Sequence, residues 1–228
     1  IHFFAFATVI EAFIISLFII LFYVRFKGPK LSFSLQTAKL LLSQGSAYFI
    51  AGLLIMVYTQ IDKIMLGKIL DSTTVGIYSA ALTIASLWMF IPNAIINSAR
   101  PIIMGLNNEN KNVYIIKNKQ LYCAIIWLGI VASIFITLFS EPLILLIYGE
   151  QFVEAIDVLV ILIWSRIFAL IGSIKAISLT VESLGRFQVY FVGIAAVINV
   201  GVNFLLIPRY GAIGAAISAI GGPITLII

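Results

Sequence analysis

Apolar positions along this chain fall in long unbroken runs separated by short polar breaks, with neither the alternation of a half-buried strand nor the narrow stripe of a soluble surface helix. Each run is a candidate membrane span, since about 20 apolar residues cross a hydrocarbon core about 30 Å thick. Reading runs against breaks predicts seven spans: Ile1 to Val24, Gly45 to Leu70, Val75 to Ala99, Leu121 to Ser140, Asp157 to Val181, Gln188 to Ile207 and Gly211 to Ile228. Unbroken runs do not fit a β-barrel, whose strands alternate. The pattern therefore predicts an all-α polytopic membrane bundle.

Two stretches between spans carry patterns of their own. Leu31 to Ser43 sets Leu35, Leu40 and Leu42 among polar residues after Gly28 and Pro29, as a helix lying on the inner membrane surface does. Glu141 to Ala155 is too apolar for a plain loop and too short to cross, which predicts a short outer helix turned by Gly149. The segment VGIYSAALTIAS from Val75 is echoed by YGAIGAAISAIG from Tyr210, each starting a span through small residues. A weak internal repeat and coincidental small-residue composition both account for the echo.

Composition strengthens the membrane reading: 62% of residues are hydrophobic and 10% charged, against about 45–50% and 25% in an ordinary soluble domain. The net charge of +5 sits in loops. One set of alternate loops holds Arg25, Lys27, Lys30, Lys39, Arg100, Lys111, Lys117, Lys119 and Arg186, while the opposite set holds Arg209 alone. That bias places the first set in the cytoplasm and argues against a nucleic-acid footprint. Ile1 lies inside an apolar run without an initiator Met and Ile224 to Ile228 remain apolar, so a fragment of a longer protein is expected.

Enzyme signatures are sparse. His2 is the only histidine and Cys123 the only cysteine, which leaves no parts for a histidine triad, an intrachain disulfide or a cysteine-based metal site. The pair Gly67–Lys68 lacks the upstream glycine and following hydroxyl residue of a phosphate-binding loop. No catalytic residue, metal or cofactor is expected.

Charges within spans are the informative signals, because an ionised group in the bilayer centre costs roughly 2.5–3.5 kcal/mol on insertion scales. Asp62 and Lys63 sit side by side near the outer part of the second span, where pinning neighbouring helices and lining a path both fit. Glu11 lies roughly 21 Å along a helix from Arg25, close to mid-membrane. Arg166 is also near the midplane, as a cavity-lining group or one half of a buried pair with Glu11 as a conceivable partner. Nine residues on, Lys175 falls on the opposite face from Arg166 and nearer the cytoplasm, where it can snorkel inward. Pro92 breaks the third span and frees a carbonyl one turn earlier. Asn93 and Asn97 follow on one face, a polar stripe that suits either a cavity wall or interhelical hydrogen bonding. Tyr48, Tyr58, Tyr78, Trp88 and Trp127 read as interfacial or packing residues.

Four short motifs in order resemble one family. They are Ile61, Asp62, Lys63 and Gly67; Gly76, Tyr78, Ser79 and Ala80; Tyr148, Gly149 and Phe152; and Pro208, Tyr210, Gly211, Gly214 and Ala215. Together they resemble the polysaccharide biosynthesis membrane proteins, the O-antigen and capsule repeat-unit flippases of the superfamily that also holds multidrug extruders and lipid II flippases. The resemblance implies that residues 1–30 are the last helix and linker of an N-terminal bundle, and residues 31–228 an incomplete C-terminal bundle of a two-bundle transporter. It implies a non-enzyme of the bacterial inner membrane that flips undecaprenyl-diphosphate-linked oligosaccharide from the inner to the outer leaflet, driven by an ion gradient. Its partners would be membrane lipid, the lipid-linked glycan and neighbouring glycosyltransferases or a glycan polymerase, with no nucleic acid. Charge and depth then make Arg166, Lys175, Lys63, Asn93 and Asn97 the substrate candidates, and Asp62 and Glu11 the ion-coupling candidates. Rival readings are a drug or metabolite extruder, which favours an acid-lined cavity, and a glycan polymerase or ligase. The latter needs basic residues in a long outer loop, and Glu141 to Ile156 has none.

Overall fold

The protein is described by a computed structural model that covers residues 2–26, 34–182 and 184–225. Its described elements are helical: α1 His2–Arg25, α2 Leu35–Ile69, α3 Ser72–Leu87, α4 Phe90–Glu109, α5 Lys111–Leu138, α6 Ser140–Tyr148, a 3-10 turn at Glu150–Phe152, α7 Ala155–Val181 and α8 Gly185–Thr225. Four helices among the described residues are long and apolar enough to cross a membrane, or five if the bent pair α3 and α4 counts as one span. Lys27, Lys30, the first three residues of the expected surface helix and the last three of the seventh expected span lie outside the described residues.

The chain divides into two compact units, residues 1–44 and 45–228. In the first, α1 exposes Phe13, Phe18 and Phe22 alike, and the rings of Phe22 and Phe26 stack at 4.8 Å. A helix that is apolar on every side has no aqueous face to present.

In the second unit α7 is the central post, packed against α3, α4, α5, α6 and α8. Its N-terminal half buries Val158, Leu159, Leu162 and Ile163 in one core with Tyr78, Ala81, Ala85 and Ala216. Its C-terminal half buries Leu170, Ile174 and Ile177 in a second core with Ile96, Ile103 and Ile125. Large apolar side chains such as Trp127, Phe135, Leu146 and Phe204 cover the outside. That surface belongs against lipid tails, and the chain is a multi-pass membrane protein.

Local chemistry explains the ends of these elements. Asp71 has an extended backbone and its carboxylate accepts from the Thr74 N–H at 2.7 Å, which starts α3. The break between α3 and α4 comes at Trp88 and Met89, one turn before Pro92, and bends the pair by 45°. Pro92 has no N–H for the Trp88 carbonyl, which accepts from Ile91 N instead at 3.2 Å. The basic stretch from Arg100 to Gln120 is helical apart from Asn110, although sequence patterning made it a loop. α4 runs on to Glu109, and Asn110 alone links it to α5 by accepting from the N–H groups of Asn112 and Val113. Lys, Gln and Arg are good helix formers, so charge there does not mark the end of the helix.

α6 and Gly149, at φ +84°, form the expected short helix and turn. In α8 the backbone is non-helical at Gly211, with φ +57° and ψ −133°, a conformation open to glycine. The chain doubles back there. Ser218 touches Asn203, although fifteen residues of straight helix span roughly 22 Å. At Gly214 a Cβ atom would stand 2.5 Å from the Leu206 carbonyl oxygen, so only glycine fits where the two arms diverge.

Candidate functional site

The second unit encloses a cavity of about 460 Å³ bordered by α2, α3, α7 and α8. Apolar residues such as Ile55, Leu82 and Val192 form part of its lining, and Asp62, Tyr78, Arg166, Lys175 and Gln188 supply polar groups.

The carboxylate side is built from three segments. Asp62 on α2 is only 6% exposed. Tyr78 Oη on α3 donates to Asp62 Oδ2 at 2.9 Å, and Asn203 Nδ2 on α8 donates to Oδ1 at 2.7 Å. The Asn203 amide also donates to Asn199 Oδ1 at 3.1 Å, and Ser218 Oγ lies between Asn203 Oδ1 and the Ala215 carbonyl. A buried acid held in this way has its lone pairs occupied by neutral donors, which orient it without cancelling its charge. The same bonds tie α2 and α3 to both arms of α8.

The cationic side belongs to α7. Arg166 is half-buried, and its Nε is buried without a hydrogen-bond partner. Lys175 places Nζ 5.1 Å from the centre of the Phe191 ring, a cation–π contact. Ala169 and Ala176, two turns apart, lie at the middle of the α7 stripe that lines the cavity. Arg166 and Lys175 flank that stripe on opposite sides and both still reach the space, because small residues between them leave the centre open and their stems are long. Opposite faces of the helix thus serve one cavity.

The remaining expected residues lie elsewhere. Lys63 and Asn93 are half-buried, Asn97 is exposed, and none of the three lines this cavity. Glu11 is exposed on α1 in the first unit. Sequence reasoning passed over Asn199, Asn203 and Ser218, and took Tyr78 for an interfacial or packing residue. Tyr78 is 1% exposed and bonds the carboxylate, so it is neither interfacial nor mere packing. Asn199 and Asn203 carried the usable signal: two amides at i, i+4 in an otherwise apolar span.

Comparison with known proteins places these features in context. Residues 3–157 match the family described as polysaccharide biosynthesis protein. The capsular polysaccharide biosynthesis protein CapF of Staphylococcus aureus is 26% identical over 166 residues, covering 70% of this chain and 41% of CapF. The probable flippase AglR of Haloferax volcanii is 30% identical over 173 residues, covering 72% of this chain and 35% of AglR. The probable low-salt glycan biosynthesis flippase Agl15 of the same organism is 24% identical over 163 residues, covering 71% and 34%. This chain therefore spans about a third to two-fifths of the length of these curated relatives. No solved structure matches.

Proposed function

The chain belongs to the polysaccharide biosynthesis protein family, and from that premise we propose that it is the C-terminal part of a flippase for undecaprenyl-diphosphate-linked oligosaccharides. The flippase works in the bacterial inner membrane and moves its cargo from the inner to the outer leaflet. Seven spans carry the chain across, the two arms of α8 being the sixth and seventh. The observation that supports this reading most is the cationic side of the cavity: Arg166 and Lys175 line it together, within helices long and apolar enough to cross lipid.

A diphosphate headgroup brings negative charge that lipid excludes. Two cations beside apolar cavity wall offset that cost while the polyprenyl tail stays in the bilayer. The buried Nε of Arg166 is a donor awaiting an acceptor, and guanidinium suits phosphate oxygens in paired geometry. The lining carries two cations against one carboxylate, which favours an anionic headgroup over the cationic cargo of a drug extruder. Asp62 is the coupling group in this reading. A cation or proton arriving at its carboxylate makes the field at Arg166 more positive and tightens the hold on the headgroup, and its departure loosens that hold.

The test is Arg166→Gln in the protein as its host expresses it, with surface glycan as the readout. Loss of surface glycan at normal protein level is expected. Undiminished display removes Arg166 from the transport path and the reading with it.

A further inference from the structure

Beside the main cavity lies a smaller one of about 180 Å³, lined by Arg100 and Met104 of α4, Ala176, Ile177 and Thr180 of α7, and Gln188 of α8. Ala176 and Gln188 border both spaces, so the two adjoin along one wall. Among the described residues that line the smaller space, Arg100 is the charged one and none is a carboxylate. The volume equals about six waters at liquid density, enough for a phosphate or diphosphate and too little for a glycan chain. Met104 and Ile177 supply an apolar flank against which the first carbons of a lipid tail can lie.

Position along α7 orders the cations. Thr180, beside Arg100, is about 7 Å of helix from Lys175, and Arg166 stands about 13 Å further on. An anion moving along this face meets Arg100, then Lys175, then Arg166, while Gln188 offers an amide on the wall between the first two.

We infer that the smaller cavity is a staging site for a lipid-borne phosphate or diphosphate headgroup, held by Arg100 before it passes Gln188 into the main cavity. This deepens the flippase reading and rests on it. Arg100 sets capture, and Arg166 sets residence in the main cavity.

The experiment uses the full host-expressed protein in lipid nanodiscs, with a short-chain prenyl diphosphate as one probe and inorganic pyrophosphate as the other. Arg100→Gln is expected to weaken prenyl diphosphate binding about ten- to a hundredfold, the scale of one charge-assisted hydrogen bond, and Arg100→Lys to restore most of it. High salt brings the unmodified protein toward the Arg100→Gln value. Because Arg100 is exposed, the substitution leaves the packed cores untouched. Unchanged prenyl diphosphate affinity in Arg100→Gln, with Arg166→Gln still impaired, overturns the staging site alone. Indifference to both substitutions overturns the flippase reading as well. Weakening confined to inorganic pyrophosphate overturns the assignment to a lipid headgroup.

Discussion

Around Asp62 nearly every polar atom has a partner, supplied by Tyr78, Asn203, Asn199 and Ser218, whereas on the α7 side Arg166 keeps a buried Nε with none. Both sides line the same cavity. A cluster that satisfies itself contributes to holding the bundle together. A buried donor left open costs the fold the hydration it gave up. Asn199 Nδ2 is the one atom of the carboxylate cluster without a hydrogen bond.

The difference is sharpest when each side is cut. Asp62→Leu strands the Tyr78 hydroxyl and the Asn203 amide, and buried donors without acceptors cost about 1–3 kcal/mol each. It should lower the unfolding temperature of the detergent-solubilised protein more than any other change considered, and abolish export. A melting curve unaffected by Asp62→Leu would break the contrast at its root. Gly214→Ala attacks the same cluster indirectly, by forcing apart the arms of α8 that bring Ser218 to Asn203. Overpacking of this kind costs roughly 1–3 kcal/mol, and a smaller fall in unfolding temperature is expected, read in the same assay.

Arg166→Gln is the counter-case. It removes a partly desolvated charge whose Nε makes no hydrogen bond, so the unfolding temperature should change little while glycan export is lost. Lowered stability in that variant would show the arginine to be a structural member after all. Asp71 lies outside both sides and outside the spans, and sets the floor. Hydrogen bonds from the Thr74 N–H and then its hydroxyl hold the Asp71 carboxyl below the usual carboxylate range. Its folded pKa is depressed, so the cap's contribution is present above the ordinary carboxylate pKa and fades as pH falls through the folded value. Asp71→Ala should lower the unfolding temperature slightly at neutral pH, and the gap to the unmodified protein should close in acid.

The sequence showed the cations more readily than it showed the cluster. A charge inside an apolar run announces itself, and Arg166 and Lys175 were visible for that reason. Asn199 and Asn203 are neutral and share their i, i+4 spacing with Asn93 and Asn97, so spacing alone does not say which pair meets a buried acid. Their facing toward Asp62 depends on a contact between residues 62 and 203, which a linear pattern does not encode. Helix ends were misplaced for a related reason. Polarity from Arg100 to Gln120 read as a loop, and the helical backbone continues through it except at Asn110. Pro208 and Gly211 punctuated α8 openly, because a doubling back needs residues that leave the helical basin.

One side chain sits where the two apolar cores meet. Trp88, at the break before α4, packs against both cores, with its indole N–H buried and unpartnered. Since the α3–α4 ladder is interrupted at that level while α7 runs unbroken through both cores, the indole closes the seam that the broken helix pair would otherwise leave between them.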